Sequence, residues 1–456
     1  MRISFLFSLC LLFALLTTPH AAELDPQQEQ SLPEVVPAEA APASDATPEV
    51  VPEAVPEEAD PAAVNDEAKG GTAYEELAIL TEALMHVRRT YVEELSFREI
   101  LFGALEGMLQ GLDPYSDFMP PEEFEAFEED TEGMFTGVGL QLGLQEGVLT
   151  VIAPIDGSPA YRAGVIAGDR IVKVNGKEAY DLSVQEAVSM LRGKEGDSVV
   201  LTLARRNREP FDVTLMRMSI VVPSVRGATL IRPGIGYVRI TKFDEQTMPA
   251  LRDKIDSLQH DGMKALVLDL RSNPGGLMRM AIRVAELFLE RGKVVVSVKG
   301  RHTNGKSEVS KAAGVRPFTK LPLAVLVDQG SASASEVVAG ALQDHHRGVL
   351  FGQKTFGKAS VQTIIPLRSK PDYGLRLTTA HYYTPSGRMI HGKGIDPDIV
   401  IETTAEERVQ AQLRRAYEES PEFFPQEASK EILQARDLVL DRAVDVLAAL
   451  VTLGAE

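Results

Sequence analysis

Apolar residues between Tyr74 and Tyr91 (Leu77, Leu80, Leu84, Val87, Tyr91) recur every three or four positions, the spacing of one face of an α-helix. A second helix is predicted through Ile100, Leu101, Leu105, Met108 and Leu109, stopping at Gly111 before Asp113-Pro114-Tyr115-Ser116. On this reading the helical unit has no chemistry of its own. Over 135–217 the pattern shortens to β-rich runs punctuated by Gly and Asn-Gly, with one helix at 183–192 and a strand from Val199 to Ala204. That predicts a small β-barrel-like module. From Gly236 the chain alternates: buried-length runs Tyr237 to Ile240, Ala265 to Leu270 and Leu323 to Val327 are interleaved with helical stretches at 247–259, 277–290 and 335–346. Alternation of this kind predicts an α/β core. Strand-like runs return over 349–401, 405–456 are mostly helical, and no fixed-period repeat is visible.

Upstream of Tyr74 the periodicity vanishes. Residues 23–71 carry eight prolines, and 13 acidic residues stand against one basic between Glu23 and Gly70. Such a segment buries too little apolar surface to offset its chain entropy and is expected to be an extended, self-repelling linker. It also holds about -12 of the formal net charge of -19, so the folded part is only mildly acidic. No Lys/Arg block offers the basic face that a nucleic-acid partner requires. Residues 1–22 read as an export signal: Arg2, then the apolar stretch Ile3–Leu16, then Ala21 and Ala22. The stretch is short of the roughly 20 residues usual for a membrane span. An uncleaved anchor is the alternative, since His20 interrupts the small-x-small pattern. Cys10, the one cysteine, lies inside the stretch, so no disulfide is expected in the exported chain.

Two segments carry candidate chemistry. The buried run Leu323–Val327 leads into Gly330-Ser331-Ala332-Ser333-Ala334-Ser335-Glu336, after which Val337, Val338, Ala341 and Leu342 mark a helix. A serine here sits at a helix N-terminus, where free N–H groups favour negative charge. Capping and nucleophilic catalysis both fit this segment by itself. The string lacks the glycines of Gly-x-Ser-x-Gly. The second segment, Phe356-Gly357-Lys358-Ala359-Ser360-Val361-Gln362, offers a lysine among apolar neighbours. A lysine base needs its pKa lowered by roughly three units from about 10.4, which burial supplies. A surface lysine is the alternative. The spacing Gly352 to Gly357-Lys358 also imitates a phosphate-binding loop, but Ala359 stands where its magnesium-binding hydroxyl belongs. His345 and His346 lie about three turns along the helix from Ser333, and the sequence cannot place His381 or His391. No metal-ligand cluster is evident and no cofactor is expected. The run 266–276, ending Asn273-Pro274-Gly275-Gly276, bares backbone N–H groups that suit an oxyanion or a plain tight turn.

Taken together, these segments resemble the carboxy-terminal processing (tail-specific) proteases from about Tyr74 to Ile401. The match includes Leu-Asp-Pro-Tyr-Ser at 112–116, Leu-Arg-Gly at 191–193, Asp-Leu-Arg-Ser-Asn-Pro-Gly-Gly, Thr-Phe-Gly-Lys and Gly-Ile-Asp-Pro-Asp. Residues 135–217 are similar to a PDZ domain through Gly-Ser-Pro-Ala, Gly-Asp-Arg-Ile and Val-Asn-Gly. The resemblance implies a multidomain α+β or α/β protein: a crotonase-like α/β protease core with an inserted PDZ domain and helical N- and C-terminal segments. The expected divisions are 1–22, 23–71, 72–134, 135–220, 221–404 and 405–456. It implies an exported, periplasmic or envelope serine endopeptidase in which Ser333 is the nucleophile, Lys358 the base and Gln362 its orienting partner. Ala334 N–H and Gly275 or Gly276 would hold the oxyanion. Gly137-Val138-Gly139-Leu140 would bind the carboxylate of an apolar protein tail, and Arg192 would link tail binding to the lysine–glutamine pair. A homodimer and an activating adaptor are further expectations. Ala359 departs from the family's Gly-Lys-Gly. The rival reading is an inactive PDZ scaffold that binds tails without cutting them.

Overall fold

The computed structural model describes residues 73–453 apart from 146, 156, 181, 206–207, 302–305, 315–317 and 420–428. The predicted export signal and acidic linker lie outside the described residues.

Three helices open the described chain: Ala73–Thr90, Phe97–Gln110 and Pro121–Glu132. The second begins in a capping box, with Ser96 Oγ accepting the Glu99 N–H and the Glu99 carboxylate accepting the Ser96 N–H. The first leaves most of its predicted apolar stripe exposed, Leu77, Leu80, Val87 and Tyr91 included.

The β-rich module follows as predicted. Its sheet orders Leu140–Gln145, Val148–Pro154, Arg170–Val174, Ser198–Ala204 and Phe211–Met216, and the first of these is an edge. Val199, Leu201 and Leu203 alternate into a core that includes Val138, Val151, Ile171, Leu191 and Leu215. Helix Val184–Leu191 packs across the edge strand. Met134–Gly137 pairs antiparallel with Met218–Val221, so the segments entering and leaving the module form one two-stranded stem.

The α/β core holds a second sheet in the order Val225–Arg232, Ile235–Ile240, Ala265–Asp269, Leu323–Val327, Val349–Gly352, Ile399–Val400. All pairings after the first are parallel. Its central strands are buried at every position because both faces are covered, which is why they read as apolar runs interrupted only by Asp269. Leu266, Leu268, Val325 and Val327 face a core shared with helices Met278–Glu286 and Ala334–Asp344. Ala265, Val267, Ala324 and Leu326 face Val439, Ala443, Val444 and Leu447 of the C-terminal helix Leu438–Leu453. A third sheet joins Ser360–Leu367 to the long strand Lys370–Tyr383, against which Asp117–Met119 also pairs. The N-terminal segment is thereby stitched to the strand beside Lys358.

Candidate active site

The turn after Leu323–Val327 is tied on every side. Asp328 accepts the N–H of Ser272 at 2.8 Å and of Gly330 at 2.9 Å, while Ser331 Oγ donates to Leu270 O at 2.8 Å. Out of this turn Ser333 emerges with φ 57° and ψ -116°, a conformation rare for a residue with a Cβ. Backbone of this kind costs on the order of 1–3 kcal/mol and persists only where its surroundings impose it. Helix Ala334–Asp344 begins at the next residue. Ser333 is fully buried and its Oγ has no hydrogen-bond partner. A strand–turn–helix bend thus holds Ser333 in strained backbone without the glycines of Gly-x-Ser-x-Gly.

Glu336, one turn into the helix, joins this bend to Lys358. Its Oε2 accepts the N–H groups of Ser333 and Lys358, both at 2.9 Å, and its Oε1 accepts Gly357 N–H at 2.8 Å and the Thr355 hydroxyl. Complete burial pushes the carboxyl up to about 7, against the pull of those four donors. The Gly357 and Lys358 amides that imitated a phosphate cradle are therefore already engaged by a carboxylate. Tyr382 makes a second tie, its hydroxyl lying on the carbonyl oxygens of Ser333 (2.9 Å) and Lys358.

The Lys358 side chain is 2% exposed and its Nζ lies 4.7 Å from the centroid of the Tyr115 ring. Gln362 Nε2 donates to Ser360 Oγ (2.9 Å) and Thr378 Oγ1 (3.2 Å), and Gln362 Oε1 is buried without a partner. Opposite Ser333 stands the Asn273-Pro-Gly-Gly turn. Ala332 N–H donates to Asn273 O at 3.0 Å, and a Cβ on Gly275 would come within 2.7 Å of Ser333 Cβ. Gly275 N–H is taken by Asn273 Oδ1 at 2.9 Å. Gly276 bridges to Phe243 through bonds that leave its own N–H out: Phe243 N–H to Gly275 O and Leu277 N–H to Phe243 O.

Residues 234–401 match peptidase family S41, residues 150–205 a PDZ domain, and residues 49–123 the N-terminal domain of the activating protease CtpB. The carboxy-terminal-processing protease of Bartonella bacilliformis is 42% identical over 340 residues, covering 74% of this chain and 77% of that one. The chain belongs to the carboxy-terminal-processing proteases. The protease CtpA of Bacillus subtilis is 40% identical over 326 residues, 71% of this chain and 68% of its own. Among solved structures, a photosystem II D1 C-terminal processing protease covers 73% of this chain and 94% of its own at 31% identity and a TM-score of 0.42. A serine-type peptidase carrying a PDZ domain, on the fold class read from the sequence, is thus what this chain is.

In this protease Gly137-Val138-Gly139-Leu140 connects the stem to the module's edge strand. Val138 O and Gly139 O are taken inside the module by Ala160 N–H (3.0 Å) and Ile155 N–H (2.9 Å). Arg192, which ends helix Val184–Leu191, pairs with Glu129 at 2.7 Å and lies over the Phe135 ring. Gln362 meanwhile bonds Ser360 and Thr378, so the structure does not bring Arg192 together with it. His345 is bound to Val294 O at 2.7 Å, away from the site.

Three features beside Lys358 escaped the sequence reading. The Asp113–Ser116 turn, which follows the helical unit read as having no chemistry of its own, delivers Tyr115 to the lysine. His391 Nδ1 accepts Ala359 N–H at 3.3 Å, its ring stacks edge-on with His381, and burial, His381 and the nearby Lys358 hold its pKa down. Glu336 was visible in Ser-Glu-Val-Val as a polar residue on an apolar helix face; only that misplacement hinted at its role.

Proposed function

We propose that this protease grips the free C-terminus of a protein in its PDZ groove and cuts upstream with Ser333 as nucleophile and Lys358 as base. The arrangement around Glu336 carries the reading: one carboxylate fixes the backbone of the strained, buried serine and of the buried lysine together. With Lys358 as the neutral amine, Ser333 Oγ attacks the scissile carbonyl and its proton passes to Nζ. Ala334 N–H, at the helix start, and Gly276 N–H are the donors suited to the oxyanion. Collapse expels the amine, which takes the proton from Nζ, and water then hydrolyses the acyl-enzyme. Gln362 Oε1 is the acceptor that would orient Nζ.

The groove runs between edge strand Leu140–Gln145 and helix Val184–Leu191, where the half-buried Leu140, Leu142, Val184 and Met190 favour an apolar last side chain. A peptide adding to that edge would place its carboxylate at Gly137–Leu140, whose carbonyls at 138 and 139 are already used, leaving N–H groups to offer. Arg192 at the end of the groove helix would report occupancy to the core by leaving Glu129. The exposed stripe on Ala73–Thr90 supports a homodimer, and the Arg2–Leu16 pattern supports export.

The test is cleavage of a protein bearing an apolar tail. Ser333→Ala and Lys358→Ala should each reduce turnover by at least 1000-fold, to background, on the scale seen when one member of such a unit is removed. Both should bind the tail within a few-fold of wild type, and amidation of the tail carboxylate should weaken processing. Retained cleavage by either variant would overturn the dyad; unchanged processing of the amidated tail would overturn the groove.

A further inference from the structure

Both atoms expected to receive Lys358 Nζ in the reactive arrangement, Ser333 Oγ and Gln362 Oε1, are buried and have no hydrogen-bond partner. Nζ instead lies over Tyr115, 4.7 Å from the ring centroid. Tyr115 belongs to the N-terminal segment, outside residues 234–401 that match the peptidase family. Its turn is built to hold it there. Asp113 Oδ1 accepts the N–H groups of Tyr115 (2.8 Å) and Ser116 (2.9 Å), and Arg376 Nε donates to Tyr115 O at 3.1 Å. Thr378 N–H donates to Ser116 Oγ at 3.1 Å, while Thr378 Oγ1 donates to Asp113 Oδ1 at 3.1 Å and accepts from Gln362 Nε2 at 3.2 Å. The glutamine meant to orient the base is therefore chained to the turn that carries the ring.

We propose that Tyr115 is a positioning residue for the base, its ring face seating the Lys358 ammonium between turnovers, so that Nζ must leave the ring for Ser333 Oγ and Gln362 Oε1 before acylation. This rests on the dyad reading above. The face of an aromatic ring attracts a cation and has no comparable attraction for a neutral amine. The seat therefore favours the protonated lysine and holds back the free base. Burial, Asp113 and Glu336 all push the Tyr115 hydroxyl up, so the ring meets the lysine as a neutral phenol and not as a phenolate ion pair. The other titratable groups around Lys358 are Asp113 on the turn that carries Tyr115, Glu336 on the serine helix, His391 with His381 beside it, and Tyr382, whose hydroxyl lies on the Lys358 carbonyl oxygen. None of these is altered by a change confined to the Tyr115 ring.

The experiment is the pH profile of kcat/KM for the full chain on an apolar-tailed peptide, with tail affinity measured separately. Tyr115→Leu keeps an apolar cover over the lysine but removes the ring. The midpoint of the ascending limb should move to lower pH by about 0.5–1.5 units, raising kcat/KM below that midpoint by roughly 3- to 30-fold with tail affinity unchanged. Tyr115→Phe, which restores the ring without the hydroxyl, should restore the wild-type midpoint. Tyr115→Met gives the same comparison should the leucine variant fail to fold, and a midpoint is insensitive to a constant loss of folded enzyme. An unmoved or higher midpoint in both ringless variants would overturn the proposal, as would Phe behaving like Leu. Turnover that survives Lys358→Ala would instead overturn the dyad itself, so the two failures are distinguishable.

Discussion

Glu336 accepts the backbone N–H groups of Ser333 and Lys358 on one oxygen, so it sets the distance between the reacting segments together with Tyr382, which spans their carbonyl oxygens. A glutamine there would present only one acceptor oxygen and would turn a donor toward other donors. Glu336→Gln is expected to lower kcat/KM on the order of 100-fold through misplacement, with tail affinity preserved. The same carboxyl has a signature in stability. Held at about 7 against an ordinary 4.5, it binds its proton more tightly in the folded chain than in the unfolded one. Between those pH values the folded chain carries more protons, so this group makes stability fall as pH rises through that window. Urea midpoints followed from about pH 5 to pH 7 should show that decline in wild type and a flatter line in Glu336→Gln. Parallel lines would show that Glu336 does not titrate there.

Among the elements, the loop joining the stem to the edge strand is the one proposed to receive the carboxylate of a tail. Gly139 has φ +75°, and a Cβ there would lie 2.2 Å from Ser158 Cβ, in the turn that Ser158 Oγ closes onto Gly139 O. Alanine cannot be accommodated without moving that loop, and the moved N–H groups would no longer converge on a carboxylate. Gly139→Ala should therefore weaken tail binding by at least 10-fold in fluorescence anisotropy while leaving the Ser333 helix intact. Tail affinity within two-fold of wild type would place the carboxylate elsewhere. The stem pair Met134–Gly137 and Met218–Val221, with Arg192 and Glu129 beside it, is the element through which an occupied groove would reach the core.

For the molecule as a whole, the C-terminal helix is fastened to the catalytic side by buried charge. Arg271, two residues before Asn273, gives Asp437 a two-pronged contact at 2.7 and 2.8 Å and holds both oxygens of Asp269. Arg271 and Arg415 keep the wholly buried Asp269 carboxyl well below the usual carboxylate range despite its desolvation. Asp437 also accepts Leu440 N–H at 3.1 Å, starting helix Leu438–Leu453. Asp437→Asn would leave the nearly buried Arg271 short of countercharge, and breaking a buried pair costs about 3–5 kcal/mol. A clear fall in the urea midpoint and a loosened C-terminal helix in hydrogen exchange are expected. A midpoint within error of wild type would show that Asp269 alone satisfies the arginine.

Local pattern was enough for the elements: a β-rich run marked the strand from Val199 to Ala204, and apolar runs of buried-strand length marked Ala265 to Leu270 and Leu323 to Val327. It also placed Ser333 at a helix start, because capping and burial are written within a few residues of chain. What periodicity does not encode is a meeting between distant side chains. Asp113 reaches Thr378 across 265 positions, and that contact carries Tyr115 to Lys358. Three of the four donors to Glu336 reach it only when the loop carrying Thr355, Gly357 and Lys358 meets the start of the serine helix. The sequence alone determined where the helices and strands of the described residues form and which side chains are candidates for the chemistry. Tertiary structure decided which buried polar groups face one another, since that depends on how sheets and loops close in space rather than on any repeat along the chain.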